Sequence, residues 1–277
     1  MGTLFLVAVP IGNLEDITLR ALRLLKTAPR IACEDTRRTG KLLELLGITR
    51  EERGWLVALH DHNEEDRIPG LLGNLAAGDD LVLVSDAGTP AISDPGFRLV
   101  RAAVAAGVPV VPVPGACAAI AALCASGLPT DDFRFVGFLP AKAGERTARL
   151  GELAVARETL VIYVGPHKLD EVLAELAAAF GGDRPAVIAR ELTKHFEEFR
   201  RATLAELVAD PGVVRGEIVL VVGGAPDVAV GEESLRSLVV RLVGEGYSPS
   251  QAAKEAARRT GARKSEAYRL ALEEGGS

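Results

Sequence analysis

Cysteine is scarce: Cys33, Cys117 and Cys124 are the only three in 277 residues, and they form neither an even set nor a close Cys-x-x-Cys pair. A disulfide framework and a cysteine-built zinc site are therefore not expected, whereas reduced thiols in a cytoplasmic chain are. Aromatic residues make up only 4%, so the core must consist mainly of Ala, Val and Leu. An excess of positive charge is also missing. The formal net charge of −6 argues against a surface coated in basic residues for gripping nucleic acid, although a local patch can do that work on an acidic chain. No basic segment precedes the first apolar run, Thr3 to Val9, so a signal peptide is not expected and a cytoplasmic location is. The uncharged stretch from Ala102 to Pro129 is broken by Pro109, Pro112, Pro114 and Gly115. It reads as helix end, strand, turn and helix rather than as a membrane span.

Two nucleotide-binding signatures are absent as well. The first strand ends in Val9-Pro-Ile-Gly-Asn13, where a dinucleotide fold would carry GxGxxG. One glycine cannot supply both the tight turn and the close backbone approach to a pyrophosphate, which disfavours NAD. GxxxxGK[ST] does not occur, which removes the P-loop.

What is present is an ordinary globular composition, 48% hydrophobic and 25% charged, long enough for one large or two ordinary domains. Short β-branched runs near 3–9, 30–34, 55–60, 80–85 and 108–113 alternate with amphipathic stretches, a βαβ winding that predicts a mainly parallel sheet covered on both faces. A turn-rich break at Gly127 to Asp132 suggests a boundary, giving an N-terminal α/β domain over 1–126. A C-terminal α/β domain is expected over 127–231, with strands near 133–138, 158–164, 185–191, 196–201 and 217–222 and helices near 143–155 and 167–180. The fourth of these strands follows the third too closely for a crossover helix, so this sheet should be mixed. From 232 to 277 the pattern is a charged helical appendix, with Ser248-Pro-Ser-Gln251 as a helix start and Gly261 as a stop. Its helix-turn-helix look and Arg258, Arg259, Arg263, Lys264 and Arg269 fit either nucleic-acid contact or a solvated helix surface.

The most specified loop is Ser85-Asp-Ala-Gly-Thr-Pro-Ala-Ile-Ser-Asp-Pro-Gly96, at the carboxyl end of the fourth strand. Ligands bind there in parallel α/β sheets, and Pro90 and Pro95 stiffen the loop; the plainer reading is a connector with a helix cap. Cys33-Glu-Asp-Thr-Arg-Arg38 ends the second strand and puts two carboxylates and two guanidiniums beside the same crevice, unless Asp35 or Thr36 simply caps the next helix. His60-Asp-His62-Asn63 ends the third strand; without further clustered ligands it suggests a polar turn lining the cleft, and no metal is expected. Lys142, Arg146 and Arg149 are spaced by four and three residues, so they share a helical face, either solvated or contacting phosphate. Val164-Gly-Pro-His-Lys168 and Ala189-Arg-Glu-Leu-Thr-Lys194 each follow an apolar strand, and at least one should face the cleft.

In order along nearly the whole chain, VAVPIGNLEDIT (7–18), CEDTR (33–37), HDHNE (60–64), SDAGTPAISDPG (85–96), VPVPGACA (111–118), GFLP (137–140), ARELTKHFEE (189–198) and GEIVLVV (216–222) resemble the ribosomal small-subunit RNA 2'-O-cytidine methyltransferases, a branch of the tetrapyrrole methylase superfamily. The resemblance implies two α/β domains with S-adenosylmethionine in the cleft between them, plus the helical appendix. It also implies a homodimer, and methylation of cytidine 1402 of 16S ribosomal RNA in the small subunit. Pro10, Asp86, Ala87, Gly88, Thr89, Cys117, Ala118 and Tyr163 would surround the donor, mostly through backbone groups. Two turns depart from the family pattern: Pro114-Gly-Ala-Cys-Ala118 stands for PGPSA, and Val164-Gly-Pro-His-Lys168 for ESPHR.

On this reading, methyl transfer needs alignment of a hydroxyl with the methyl carbon and a group to accept the hydroxyl proton. Glu34, Asp35 and His60 are the candidates for that acceptor. Arg37, Lys142, Arg146 and Lys194 would position the RNA through its phosphates. The alternatives are a methyltransferase of tetrapyrrole or corrin precursors, and a non-catalytic ribosome-assembly factor that retains the donor pocket.

Overall fold

A computed structural model describes residues 1–50, 54–165, 167–213, 215–226 and 232–275. Pro166 and the expected boundary at residue 231 lie outside the described residues. The chain divides into two compact units, residues 1–154 with 158–223, and residues 155–157 with 224–277.

The larger unit holds two five-stranded sheets. The first consists of β1 (Leu4–Val7), β2 (Arg30–Cys33), β3 (Leu56–Ala58), β4 (Leu81–Val84) and β5 (Val110–Val113). They are parallel throughout and ordered β3-β2-β4-β1-β5. Between them run α1 (Leu19–Thr27), α2 (Thr36–Leu45), α3 (Glu64–Ala77) and α4 (Phe97–Ala105).

Side-chain alternation explains why both faces are covered. Val82 and Val84 of β4 and Ile31 and Cys33 of β2 pack with Ala21, Leu24 and Leu25 of α1. Their neighbours Leu81, Leu83 and Ala32 point the other way, against Leu71 and Leu75 of α3 and Leu99 and Ala103 of α4. A continuous apolar run such as Leu81–Val84 is thus the mark of a strand buried on two sides.

The second sheet takes α5 (Ala118–Ser126), β6 (Phe133–Phe138), α6 (Ala143–Leu153), β7 (Thr159–Val164), α7 (Leu169–Phe180), β8 (Pro185–Arg190), β9 (Glu198–Thr203), α8 (Leu204–Ala209) and β10 (Ile218–Val222). Its order is β6-β7-β10-β8-β9, with β6 and β7 parallel and the remaining pairs antiparallel, so it is mixed as the short β8–β9 connection required. The segment expected to close the first domain, α5, is buried against this second sheet: Ala119, Ala122 and Leu123 pack on Val161, Val187, Val219 and Val221. Arg201 of β9 donates from Nε to the Ser126 carbonyl at 3.0 Å, placing a cation on the C-terminal end of α5.

The smaller unit contains α9 (Glu232–Gly244), α10 (Pro249–Thr260) and α11 (Lys264–Gly275) around Leu235, Val239, Leu242, Ala252, Ala256, Leu270 and Ala271. The start signal read from sequence is a complete capping box: Ser248 and Gln251 each accept from the other's backbone N–H. Gly261 closes α10 at φ 72°, a left-handed turn that suits glycine. Among the described residues no helix is long and apolar enough to cross a membrane.

The two helices on one face of the first sheet are joined by a buried charge. Glu64, only 2% exposed, accepts from the Leu99 backbone N–H at 2.9 Å, satisfying a first-turn donor of α4 from the first residue of α3. Glu64→Ala leaves that donor buried and unpaired, a loss of about 1–3 kcal/mol. Urea denaturation should show it, with Glu64→Gln recovering much of the loss; an unchanged midpoint for the alanine variant would refute this role.

Candidate active site

The order of the first sheet decides where a ligand can enter. After β1 the chain passes through α1 on one face; after β4 it passes through α4 on the other. Because β1 and β4 are neighbours, their following loops diverge and open a crevice beyond their carboxyl ends. The walls stay tied at its base: Val9 and Gly88 exchange backbone hydrogen bonds at 2.9 and 3.0 Å. Thr89 Oγ1 donates to the Ala116 carbonyl at 3.0 Å, joining the β4 loop to the turn after β5.

A cavity of about 240 Å³ occupies this crevice and continues to the second sheet. From the first sheet come Ile11, the β4 loop at Ala87–Thr89 and Ile92–Asp94, and Cys117 and Ala118; from the second come Phe138, Tyr163–Gly165, Leu192 and Glu217–Val219. All the second-sheet contributions lie at one edge, the carboxyl ends of β6, β7 and β8 and the amino end of the antiparallel β10. Gly12 permits the two halves to close together. A Cβ there would stand 2.5 Å from Lys194 Cγ, so any side chain would push the Lys194 side chain aside.

Of the eight expected donor-binding residues, Ala87, Gly88, Thr89, Cys117, Ala118 and Tyr163 line the cavity, whereas Pro10 and Asp86 do not. Asp86 instead ties two loops: its Oδ1 accepts from the Asp35 N–H at 3.1 Å, and Oδ2 takes Arg38 at 3.1 Å. Burial pushes the Tyr163 phenol up to about 12, with Cys117 and Asp94 adding to the effect, so the ring stays neutral.

The three expected proton acceptors separate in role. Asp35 is the N-cap of α2, accepting from the Arg37 N–H at 2.8 Å while its carboxylate is paired with the Arg37 side chain. That guanidinium holds Asp35 well below the usual carboxylate range, so it is a poor base, and the capping reading of this residue prevails. Glu34 is pushed up by burial and by the charges of Asp86 and Asp61, against Arg38 and His60. His60 belongs to the same neighbourhood; its Nδ1 is buried without a hydrogen-bond partner among the described residues.

The cations expected on RNA are corrected by the structure at two positions. Arg146 is not a solvated cation: its side chain is only 4% exposed, and it binds Glu175 at 2.6 and 2.8 Å, Glu171, and the Ala141 carbonyl at 3.0 Å. Helical spacing placed it on a face but could not reveal that α7 covers that face. Lys194 is clasped by Glu191 and Glu217, each at 2.9 Å, so its charge is already compensated. Arg37 and Lys142 remain exposed, each paired with a nearby carboxylate, Asp35 and Glu145.

Asp94 is the residue the sequence reading passed over. It lies in the emphasised loop and lines the cavity, and its carboxyl is pushed up to about 6, first by burial and then by the charge of Glu34. The loop around it takes an uncommon backbone course: Ala91 and Ser93 hold φ of 66° and 62°, and Gly96 φ of 122°, where a Cβ would meet Leu83 at 2.6 Å. Glu191 and Thr193, at φ 50° and 68°, make the opposite loop similarly unusual. Among the described residues no cluster of three or more His, Cys, Asp or Glu is placed to hold a metal.

Residues 3–208 match the family model described as tetrapyrrole (corrin/porphyrin) methylases, and residues 229–275 match the RsmI C-terminal HTH domain. The ribosomal RNA small subunit methyltransferase I of Pseudomonas aeruginosa is 48% identical over 283 residues, spanning 99% of this chain and 98% of that protein. Its namesake from Escherichia coli O157:H7 is 44% identical, spanning 99% and 96%. Among solved structures, the uroporphyrin-III C-methyltransferase of Thermus thermophilus complexed with S-adenosylhomocysteine aligns at TM-score 0.52 and 26% identity, over 80% of this chain and 97% of that one. The methyltransferase CobJ aligns at TM-score 0.60 and 23% identity, over 81% and 95%, a likeness of fold.

Two outcomes follow from the electrostatics. A carboxyl whose folded value is raised from 3.8 to about 6 contributes stability below about pH 4 that is lost as pH rises through 6. The unmodified chain should therefore lose stability relative to Asp94→Asn between about pH 4 and 7. Urea midpoints that stay parallel across that range would contradict it. Arg146→Ala should lower the thermal midpoint while Lys142→Ala leaves it unchanged, since only Arg146 is itself buried and holds two carboxylates and a backbone carbonyl; equal midpoints would restore Arg146 as a surface cation.

Proposed function

Because this chain belongs to the tetrapyrrole methylases, within the group of ribosomal RNA small subunit methyltransferase I proteins, we propose that it methylates the ribose 2'-hydroxyl of a cytidine, at position 1402 of 16S RNA in the small subunit, with S-adenosylmethionine as donor. That it is a methyltransferase follows from the family; the nucleotide, the ribose position, a homodimeric state and a cytoplasmic location are the finer parts of the reading.

The observation that carries it is the composition of the cavity at the β1–β4 crevice. Apolar walls from Ile11, Ile92, Phe138 and Leu192 suit an adenine ring and a thioether. The backbone of Ala87–Thr89 and Cys117–Ala118 offers hydrogen bonds without bulk, and the Asp94 carboxylate suits a cationic sulfonium or ammonium group. S-adenosylmethionine supplies an electrophilic methyl on a positively charged sulfur. The chain's own residues bind it, exclude water and align the acceptor, which is where most of the rate should originate. Exposed Arg37, at the start of α2 beyond the carboxyl end of β2, and exposed Lys142, at the start of α6, support phosphate contacts that position RNA without reading its sequence.

Incubation with methyl-labelled donor and small ribosomal subunits tests the reading. Label should appear in RNA and, after nuclease digestion, in a 2'-O-methylcytidine. Label on a tetrapyrrole precursor alone would favour the other enzyme class. Donor binding with no transfer to RNA would favour an assembly factor.

A further inference from the structure

The helical unit carries a charge unlike that of the chain as a whole. Between Ser248 and Leu272, over α10 and α11, six cations stand against two carboxylates, in a chain whose formal net charge is −6. All six are exposed. Arg258 and Arg259 share Glu255, each at 2.6 Å, and Arg269 lies 3.9 Å from Glu273. Lys254, Arg263 and Lys264 have no carboxylate partner among the described residues. A merely solvated helix surface is laced by pairs of opposite sign. Such pairs hold the three other arginines but not the two cations of the turn between the helices.

A further cation joins that turn from outside the helices. Residues 155–157 belong to the same compact unit, tied in where the Ala225 N–H donates to the Ala156 carbonyl at 2.6 Å. The Arg157 guanidinium lies against Gly261: a Cβ there would stand 2.7 Å from Nη2. Arg157, Arg263 and Lys264 therefore border one turn. Along α11, Ala267, Leu270 and Ala271 are buried in the core of the unit, so Lys264, Tyr268 and Leu272, recurring every four residues, line an outward face. Tyr268 is 42% exposed. The chain has only three tyrosines, and a second, Tyr247, is exposed just before α10. Cations beside accessible rings are what a nucleic-acid surface requires, charge for the phosphates and flat faces for the bases.

We propose that the α10–α11 turn and the outward face of α11 form an RNA-binding surface, with Arg157, Arg263 and Lys264 on backbone phosphates and the Tyr268 ring stacked on a base. The choice of RNA as occupant rests on the methylation reading above; the charge complementarity is the structure's own. The surface shares no residue with the wall of the donor cavity. Phosphate contacts position a substrate without reading its sequence, so the contribution of this surface falls on capture of the small subunit and not on the chemical step.

The test measures binding of the full chain to small ribosomal subunits across about 50–200 mM salt, together with label transfer to them. Combined Arg157→Gln, Arg263→Gln and Lys264→Gln should raise KM for subunits about 10- to 100-fold at unchanged kcat and donor affinity, and flatten the slope of log affinity against log salt by about two. Lys264→Gln alone, at one exposed side chain, should flatten it by just under one, so the outcome does not depend on the fold of the triple variant. Tyr268→Ala should weaken binding about tenfold with the slope kept, and Tyr268→Phe should restore it. Arg20→Gln, Arg23→Gln and Lys26→Gln together remove the same charge from the exposed face of α1 and should leave KM within about twofold. A triple variant with unchanged KM and slope, an equal effect from the α1 set, or a loss confined to kcat would each overturn the assignment. Duplex DNA that competes as well as the subunit RNA would give the surface to another ligand. RNA labelling with an unaltered triple variant removes the surface and leaves the methylation reading standing; subunit binding with the expected slopes but no label removes that reading and leaves the surface.

Discussion

The pairing of β1 with β4 at the centre of the first sheet is the constraint from which the site follows. Parallel strands have all their carboxyl ends on one edge, and here the two central strands send their chains to opposite faces. Neither loop can cover the gap between them without crossing the sheet edge, so a crevice is unavoidable. The Val9–Gly88 bridge closes its floor. The segments Val9–Asn13, Cys33–Arg38, His60–Asn63, Ser85–Gly96 and Pro114–Cys117 then meet because their strands are parallel, not because they are near in sequence.

Charge is distributed around this crevice in a way that matters more for chemistry than for stability. Exposed ion pairs contribute little to folding, yet they determine which carboxylates remain available. Asp35 is held by Arg37, Asp86 by Arg38 and Glu217 by Lys194. Asp94 lines the cavity without such compensation, and burial raises its proton affinity, as it does that of Glu34.

The helical unit illustrates a simpler economy. Its core is rich in alanine, with Ala252, Ala253, Ala256, Ala267 and Ala271 fully buried. Small side chains let short helices approach closely, and the capping box at Ser248 and the glycine turn at Gly261 satisfy the ends that such short helices leave open. These local devices were readable one residue at a time.

By itself the sequence determined what depends on near neighbours: the buried strands from runs such as Leu81–Val84, the mixed second sheet from the short gap before β9, and the capped start of α10; the β4 loop it singled out lines the cavity. Only the tertiary structure decided which aspartate of that loop faces the cavity: Asp94 lines it, while Asp86 is turned to the Asp35 N–H and Arg38, partners that lie some fifty residues away in sequence. It also decided that Arg146 lies beneath α7 and that α5 is buried on the second sheet rather than the first. A helical spacing states which side chains share a face; what covers that face is set by elements tens of residues away, through packing that a local pattern does not encode.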